Sequence, residues 1–216
     1  FAFMWQNTLG DQGNQFAVFA FGVIPAVLWG HAELPAALSL VPAPATMVTS
    51  MFLHGSFMHL AGNMLYLWIF GNNVEDAMGH GRFIVFYLVC GIAAALTQAL
   101  ISPASTIPMI GASGAISGVL GAYLLLYPNA RVLIGIPIFV YLHLTRLSAG
   151  WVLGLWFAVQ MISSALADPD RGGVAWYAHI GGFVAGVALI PVFKYRHVRL
   201  LHPANTAADG VRRGRR

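Results

Sequence analysis

Charged residues are scarce in this chain. Aspartate, glutamate, lysine and arginine make up 8% of its 216 residues, whereas apolar residues make up 58%. A globular domain with so few charges could not stay dissolved, so the composition excludes the soluble classes and indicates an integral membrane protein. Cysteine is almost absent as well. Cys90 stands alone inside an apolar run, so disulfides play no part in holding the fold together.

Apolar runs close to the ~20 residues that cross a bilayer occupy most of the chain. The predicted spans lie near 55–72, 83–102, 112–128, 149–166 and 177–194. A further run at 16–30 is short and contains Gly22 and Pro25, which favours an interfacial loop element over a span. The stretch at 131–147 is too apolar for a simple loop. Its bounding arginines predict a membrane-surface segment, not a seventh crossing.

Basic residues are confined to segments that alternating spans place on one side of the membrane. They are Arg82, Arg131, Arg146 and a cluster that begins at Lys194, with Arg171 as the exception. The positive-inside rule assigns that side to the cytoplasm. The tail at 195–216 is therefore predicted to be cytoplasmic and to touch anionic lipid, and nucleic acid is disfavoured as a partner.

Chemically capable side chains gather at the beginnings of three spans. Those near 55, 112 and 177 all enter from the non-cytoplasmic side, so their first turns share one membrane depth. These turns carry His54, His59, Asn63, Ser113 and His179. Polar side chains inside a bilayer are expensive and usually functional, so this convergence predicts a site at the outer end of the bundle.

Two stripes of small residues predict close packing beside this site. One holds Gly114, Gly118 and Gly121, and the other holds Ala178, Gly182 and Gly186. Small residues at helical spacing let backbones approach in lipid. Such stripes by themselves indicate only packing. Here they lie next to Ser113 and His179, which favours contact between these two side chains.

Ser113 and His179 together match what nucleophilic catalysis needs, which is a hydroxyl and a general base within hydrogen-bond reach. Separately, the serine is also typical of a helix cap, and the histidine of a hydrogen-bonded interfacial residue. The spans near them contain no acidic residue. Asp168 and Asp170 lie in the polar connection before His179, so the sequence predicts a dyad without a carboxylate.

An acyl-transfer site also needs donors for the developing oxyanion. The first N–H groups of the helix that begins at Ser113 have no helical acceptor and carry the positive end of the dipole. His59 and Asn63, four residues apart, share one helix face and add side-chain donors. Hydrogen bonding between helices is the structural alternative for this pair.

Three motifs in this order resemble those of the rhomboid intramembrane serine proteases. They are HGSFMHLAGN at 54–63, GASG at 111–114 and AHIGG at 178–182. The resemblance implies an all-α polytopic bundle of six helices that cuts transmembrane or membrane-adjacent segments of membrane proteins. It implies no cofactor or metal, and a bacterial type would reside in the inner membrane with its active site facing outward.

The resemblance also implies a role for each motif residue. Ser113 would be the nucleophile and His179 the general base; His59, Asn63 and the Ser113 amide would form the oxyanion site, with His54 supporting it at the rim and Gly111 and Gly114 flanking the nucleophile. Two features depart from the family pattern. Residue 117 is serine, where many members carry an aromatic that stacks on the imidazole. The Trp-Arg pair found in many members is also not evident before His54.

Domain boundaries follow from the same resemblance. Residues 1–194 would form the protease domain, with 1–5 as the remnant of a truncated first helix or the end of a processed leader. Residues 6–53 would be a long outer loop, and the connection at 167–177 would be a mobile cap.

Other functions remain open from the residues alone. A catalytically silent relative that binds membrane clients would share the fold. A metalloprotease built on His54, His59 and His179 would lack the His-Glu-x-x-His pattern. A transporter would call for repeated halves with broken helices, a pattern that is not visible here.

Overall fold

The computed structural model describes residues 1–166 and 174–201. Helices dominate these residues, joined by one antiparallel hairpin. The helices are α1 (Ala2–Thr8), α2 (Gly10–Phe21), α3 (Pro25–Leu28), α4 (Ala43–Thr49), α5 (Phe57–Tyr66), α6 (Asn72–Asp76), α7 (His80–Ile101), α8 (Ser113–Leu126), α9 (Ala149–Leu166) and α10 (Trp176–Phe193). The hairpin consists of β1 (Arg131–Ile138) and β2 (Tyr141–Ser148) and lies between α8 and α9.

Three of the described helices are long and apolar enough to cross a membrane. They are α7, α9 and α10. The expected span near 55–72 instead consists of α5, a π-helical turn at Leu67–Gly71 and α6, and it extends to Asp76. The expected span near 112–128 is α8, which has 14 residues. At 1.5 Å per residue α8 is about 21 Å long, shorter than the ~30 Å hydrocarbon core.

Contacts along the bundle fix the relative directions of the helices. Small residues of α10 meet α8 in parallel order, because a Cβ added to Gly182 would collide with the carbonyl oxygen of Gly114, and one added to Gly186 with that of Gly118. On α5 and the turn after it, His59 lies near Gly111, and Phe70 packs on Tyr123 with ring centroids 5.0 Å apart. The three helices that carry the predicted site therefore run in one direction.

The long helix α7 runs opposite to α8 and α10. Ala94 lies against Gly114 near the start of α8, and Cys90 lies against Gly118 one turn further along. At the other end Phe86 packs on Phe193 of α10, with centroids 5.5 Å apart. α8 is enclosed by these neighbours and is buried continuously from Ala115 to Tyr123. It is the central element of the core.

The segment before α5 is largely helical and packs against the end of the bundle that holds Ser113. The apolar run at 16–30 is divided between α2 and α3, since the chain is extended at Gly22. Val23 then forms a two-way backbone bridge with Met109, at 3.0 and 2.8 Å. The Gly111 amide donates to the carbonyl of Ser50 at 2.9 Å. These bonds anchor the connection that leads into Ser113.

The stretch at 131–147, expected to be a surface segment, is the β-hairpin. β-Branched and aromatic residues such as Val132, Ile134 and Tyr141 favour extended backbone, while Gly135 and Pro137 disfavour a helix. The strands turn at Phe139, which has a φ of 52°. The base is closed by a 2.7 Å hydrogen bond from the Ala149 amide to the Ala130 carbonyl. The hairpin therefore returns the chain to the end of the bundle from which it left.

Candidate active site

The side chains of Ser113 and His179 are in direct contact. His179 Nε2 lies 2.8 Å from Ser113 Oγ, across the seam between α8 and α10. Each residue occupies the first turn of its helix, and the close approach of Gly114 and Gly182 brings these turns together. A neutral Nε2 can accept the serine proton, which is the geometry that a nucleophile and its general base require.

Gly111 sets the approach of the chain to Ser113. Its φ of 123° is a conformation that side-chain-bearing residues rarely adopt, and a Cβ there would lie 2.7 Å from His59 Cε1. The glycine therefore permits both the sharp entry into α8 and the close approach of the His59 ring. His59 begins the face of α5 that looks toward the nucleophile.

Asn63 lies one turn beyond His59 and is 7% exposed. Its Nδ2 is buried and has no hydrogen-bond partner among the described residues. An unpaired buried amide is unfavourable unless it serves a transient acceptor. The first turn of α8 adds further donors, because its N-cap is Ala112, which makes no side-chain capping bond.

His54 is buried, not placed at the rim as expected. It is 4% exposed and packs edge-on against the His59 ring, with centroids 5.2 Å apart. Gln6 of α1 covers it: the His54 amide donates to Gln6 Oε1 at 3.1 Å. Burial lowers the pKa of His54, and His59 lowers it further. The sequence did not reveal this cover because Gln6 is 48 positions away.

Gln160 of α9 is a site residue that the sequence pattern did not reveal. Its Oε1 lies 2.8 Å from His179 Nδ1, on the opposite edge of the imidazole from Ser113. The signal was present in the sequence, since a glutamine within an apolar span is costly without a partner. A carboxylate is the usual third group beside a serine and a histidine, so the absence of acidic residues from the spans predicted a dyad.

Two indoles lie close to the His179 ring. The rings of Trp156 and Trp176 each lie 6.2 Å from that of His179, the second nearly perpendicular. Ser117 itself points away from the imidazole, because its Oγ donates to the Ser113 carbonyl at 2.7 Å.

A small pocket of about 50 Å³ opens beside Ser113. Small and apolar side chains line most of it, including Met47, Met51, Ala94 and Ala178. Much of the connection expected to form a mobile cap, residues 167–173, lies outside the described part of the chain, as do residues 202–216 of the basic tail.

The histidines do not form a metal centre within the described residues. No group of three His, Cys, Asp or Glu side chains there is arranged to hold an ion. His179 uses both ring nitrogens for Ser113 and Gln160. A zinc site on His54, His59 and His179 thus has no geometric support in this part of the chain.

A bundle of apolar helices with a serine and a histidine paired inside it defines an integral membrane protein of hydrolase-like geometry. The Rhomboid domain model matches residues 43–196, which is most of the chain. The chain belongs to the rhomboid family. The predicted helical, polytopic rhomboid-like fold is thereby confirmed, with the hairpin as its exception.

Curated relatives support this assignment. The chain is 37% identical over 147 residues to Rhomboid protease GluP of Bacillus subtilis, covering 66% of this chain and 25% of that protein. It is 34% identical over 152 residues to Rhomboid protein 1, mitochondrial, of Saccharomyces cerevisiae, covering 68% and 41%. Human presenilin-associated rhomboid-like protein, mitochondrial, is 29% identical over 229 residues, covering 97% and 58%. The matches thus span between a quarter and three fifths of these relatives.

Proposed function

We propose that this chain is an intramembrane serine endopeptidase that cleaves transmembrane or membrane-adjacent segments of membrane proteins. The observation that carries the proposal is the 2.8 Å contact between His179 Nε2 and Ser113 Oγ inside a rhomboid-family bundle. No cofactor is needed, because the hydroxyl and imidazole together supply the nucleophile and the base.

The reaction proceeds through an acyl-enzyme. Ser113 Oγ attacks the scissile carbonyl while Nε2 of His179 takes its proton, and the same proton then passes to the leaving amine. The oxyanion receives hydrogen bonds from Asn63 Nδ2, His59 and the Ser113 amide. Water activated by His179 then releases the acyl group.

The unpaired state of Asn63 supports its role in this scheme. Its buried amide has donors to offer and no partner among the described residues. A negative oxygen that forms during the reaction would satisfy it, which makes the interaction stronger in the transition state than in the resting enzyme.

Access to the serine is consistent with a substrate that comes from the membrane. If the C-terminal end of α8 reaches the cytoplasmic interface, its length, about 9 Å less than the hydrocarbon core, places Ser113 below the outer surface. The pocket beside Ser113, about 50 Å³ in volume, has room for a few water molecules next to the serine.

Membrane placement completes the proposal. The site opens to the non-cytoplasmic side and the basic tail at 195–216 is cytoplasmic, as the distribution of lysine and arginine favours. A bacterial inner membrane fits the similarity to the Bacillus subtilis protein. The substrates are transmembrane proteins, and the lipid bilayer is the solvent of the whole domain.

The test is cleavage of a model transmembrane substrate by the purified chain in proteoliposomes. Ser113→Ala and His179→Ala should abolish cleavage, whereas Ser117→Ala, a matched serine one turn along the same helix, should retain it. Cleavage that persists in either of the first two variants would reject the pair as nucleophile and base.

Two other functions give different results in the same assay. A client-binding relative would retain the substrate without cutting it, in the unaltered chain and in Ser113→Ala alike. A metalloprotease would lose activity with a chelator, whereas the serine mechanism should continue unchanged. Fluorophosphonate labelling that disappears in Ser113→Ala would locate the nucleophile directly.

A further inference from the structure

Gln160 is, with Ser163 and Ser164, one of the few polar residues of α9. Only four side chains of α9 are buried, and Gln160, at 6% exposure, is one of them. The others are Ala149, Leu153 and Ser164. A buried amide in a membrane bundle is unfavourable unless its hydrogen bonds are made. The partner of its oxygen is the imidazole of His179, at 2.8 Å.

The two hydrogen bonds of His179 are chemically coupled. A neutral imidazole carries one N–H, so one ring nitrogen donates while the other accepts. Gln160 Oε1 can only accept, which places the proton on Nδ1. Nε2 is then left with a lone pair directed at Ser113 Oγ. This is the tautomer that a general base for the serine must have.

We propose that Gln160 is the positioning residue of His179, so that the site is a Ser113–His179–Gln160 triad. This inference rests on the proposed function. The amide oxygen holds the ring in the productive tautomer and orientation, and it accepts a hydrogen bond from the imidazolium that forms when Ser113 attacks.

The membrane explains why a glutamine suits this place. In soluble serine hydrolases a buried carboxylate orients the histidine. Within a bilayer a carboxylate carries a large desolvation penalty. A neutral amide oxygen orients the ring without placing a fixed charge in lipid. The sequence fits this, since the spans around Ser113 and His179 contain no acidic residue.

The surroundings of the ring leave this directional role to Gln160. Trp156 and Trp176 limit ring rotation through their faces and edges, which does not select a tautomer. Ser117 is bonded to the Ser113 carbonyl and does not act on the imidazole. The hydrogen bond that Nδ1 donates to Gln160 Oε1 is therefore what distinguishes Nδ1 from Nε2.

Two substitutions separate positioning from packing. Gln160→Met keeps the length of the side chain but has no comparable acceptor, and Gln160→Glu keeps the acceptor but adds a charge. If Gln160 only fills space, the apolar methionine should be tolerated better than the glutamate. If it positions His179, the order is reversed and glutamate rescues activity.

The experiment measures kcat and KM of each full-chain variant on a model transmembrane substrate in proteoliposomes. Gln160→Met should lower kcat by about 10- to 100-fold, the value of a hydrogen bond to a charged group, with KM nearly unchanged. Gln160→Glu should retain clearly more activity. Ser164→Ala, one turn along α9 with its Oγ bonded to the Met161 carbonyl, should resemble the unaltered chain.

The possible outcomes are distinct. The positioning role of Gln160 would be overturned if Gln160→Met had the same kcat as the unaltered chain, or a higher kcat than Gln160→Glu. Either result would leave the mechanism based on Ser113 and His179 intact. The nitrogen-15 NMR shifts of His179 decide the inference even without turnover. The inference is supported if Nδ1 carries the proton in the unaltered chain and this tautomer is no longer dominant in Gln160→Met. It is refuted if Nε2 carries the proton in the unaltered chain. Failure of the proposed function would instead appear as cleavage that survives Ser113→Ala.

Discussion

Asn63 combines a structural penalty with a proposed chemical use. Its Nδ2 is buried without a partner among the described residues, so the folded resting state gains nothing from it. Natural proteins retain such groups mainly where function requires them.

Replacing Asn63 separates the two effects. Asn63→Ala should lower kcat by about 100- to 1,000-fold, as expected for one oxyanion donor, because the hydrogen bond forms in the transition state. Thermal stability in detergent should stay level, since no hydrogen bond is lost on removal of Nδ2. Unchanged kcat in a folded Asn63→Ala protein would assign the residue to packing between helices.

Gly111 is the residue where backbone and site depend on each other most directly. Gly111→Ala should reduce both thermal stability and kcat. The left-handed φ of 123° is strained for alanine by about 1–2 kcal/mol, and the new Cβ would displace His59 from 2.7 Å. Gly55→Ala is the control, because its Cβ has free space apart from Ile110 at 4.0 Å. Equal effects of the two substitutions would contradict this account.

The sequence predicted the pairing of Ser113 with His179 because polar side chains at one depth of parallel helices avoid a large penalty in lipid when they meet one another. It did not predict Gln160, whose place depends on how α9 lies against α10. It also misplaced His54, because the cover by Gln6 depends on tertiary packing of a distant segment. Local sequence patterns thus identified Ser113 and His179, whereas the places of Gln160 and His54 depend on how separate helices pack.

At the level of elements, the seam between α8 and α10 controls the distance between nucleophile and base. Backbone approaches backbone there without an intervening side chain at Gly114 and Gly182 and again at Gly118 and Gly186. Small residues of this kind provide most of the association between helices in lipid.

Widening this seam should lower both stability and cleavage, even where the substitution lies away from Ser113 and His179. Gly186→Ala places a Cβ against the backbone of Gly118 and should lower stability by about 1–3 kcal/mol, the usual range for overpacking. It should also reduce cleavage, since α10 carries His179. Gly154→Ala on α9 meets nothing within 4 Å and should be neutral or slightly stabilising. Thermal unfolding in detergent measures the stability of the two variants, and the cleavage assay measures their activity. A stable and active Gly186→Ala protein would argue against a rigid seam.

The hairpin shows where pattern reading at the element level was incomplete. Apolar residues with bounding arginines predicted a surface segment, and the absence of a crossing agrees with the hairpin. The strand pairing from Arg131↔Ser148 to Ile138↔Tyr141 was not predicted, because a short apolar run without regular alternation also fits other surface structures.

Removing the hairpin should preserve catalysis. The Ala130 carbonyl and the Ala149 amide are already joined at 2.7 Å, so a short Gly-Ser linker can replace residues 131–148 without moving α8 or α9. The shortened chain should cleave the model substrate at a rate close to that of the full chain. A complete loss in a folded product would instead indicate that the hairpin positions α9.

For the molecule as a whole, the orientation in the membrane decides which compartment reaches the site. Thr106, exposed between α7 and α8, lies at the end that holds Ser113, and Asn129, exposed after α8, lies at the opposite end. In intact bacterial cells, a membrane-impermeant maleimide should label Thr106→Cys from outside and should reach Asn129→Cys only after disruption. The unaltered chain is the blank, because Cys90 is buried. Reversed labelling would invert the proposed orientation.

The interlocked backbones of α8 and α10 have one further consequence. The backbone contacts between α8 and α10 hold Ser113 Oγ and His179 Nε2 2.8 Å apart, so the proposed nucleophile and base are assembled by the fold itself. If the chain cleaves peptide bonds as proposed, its selectivity depends on how readily the helices of other membrane proteins unravel and deliver an extended backbone to Ser113.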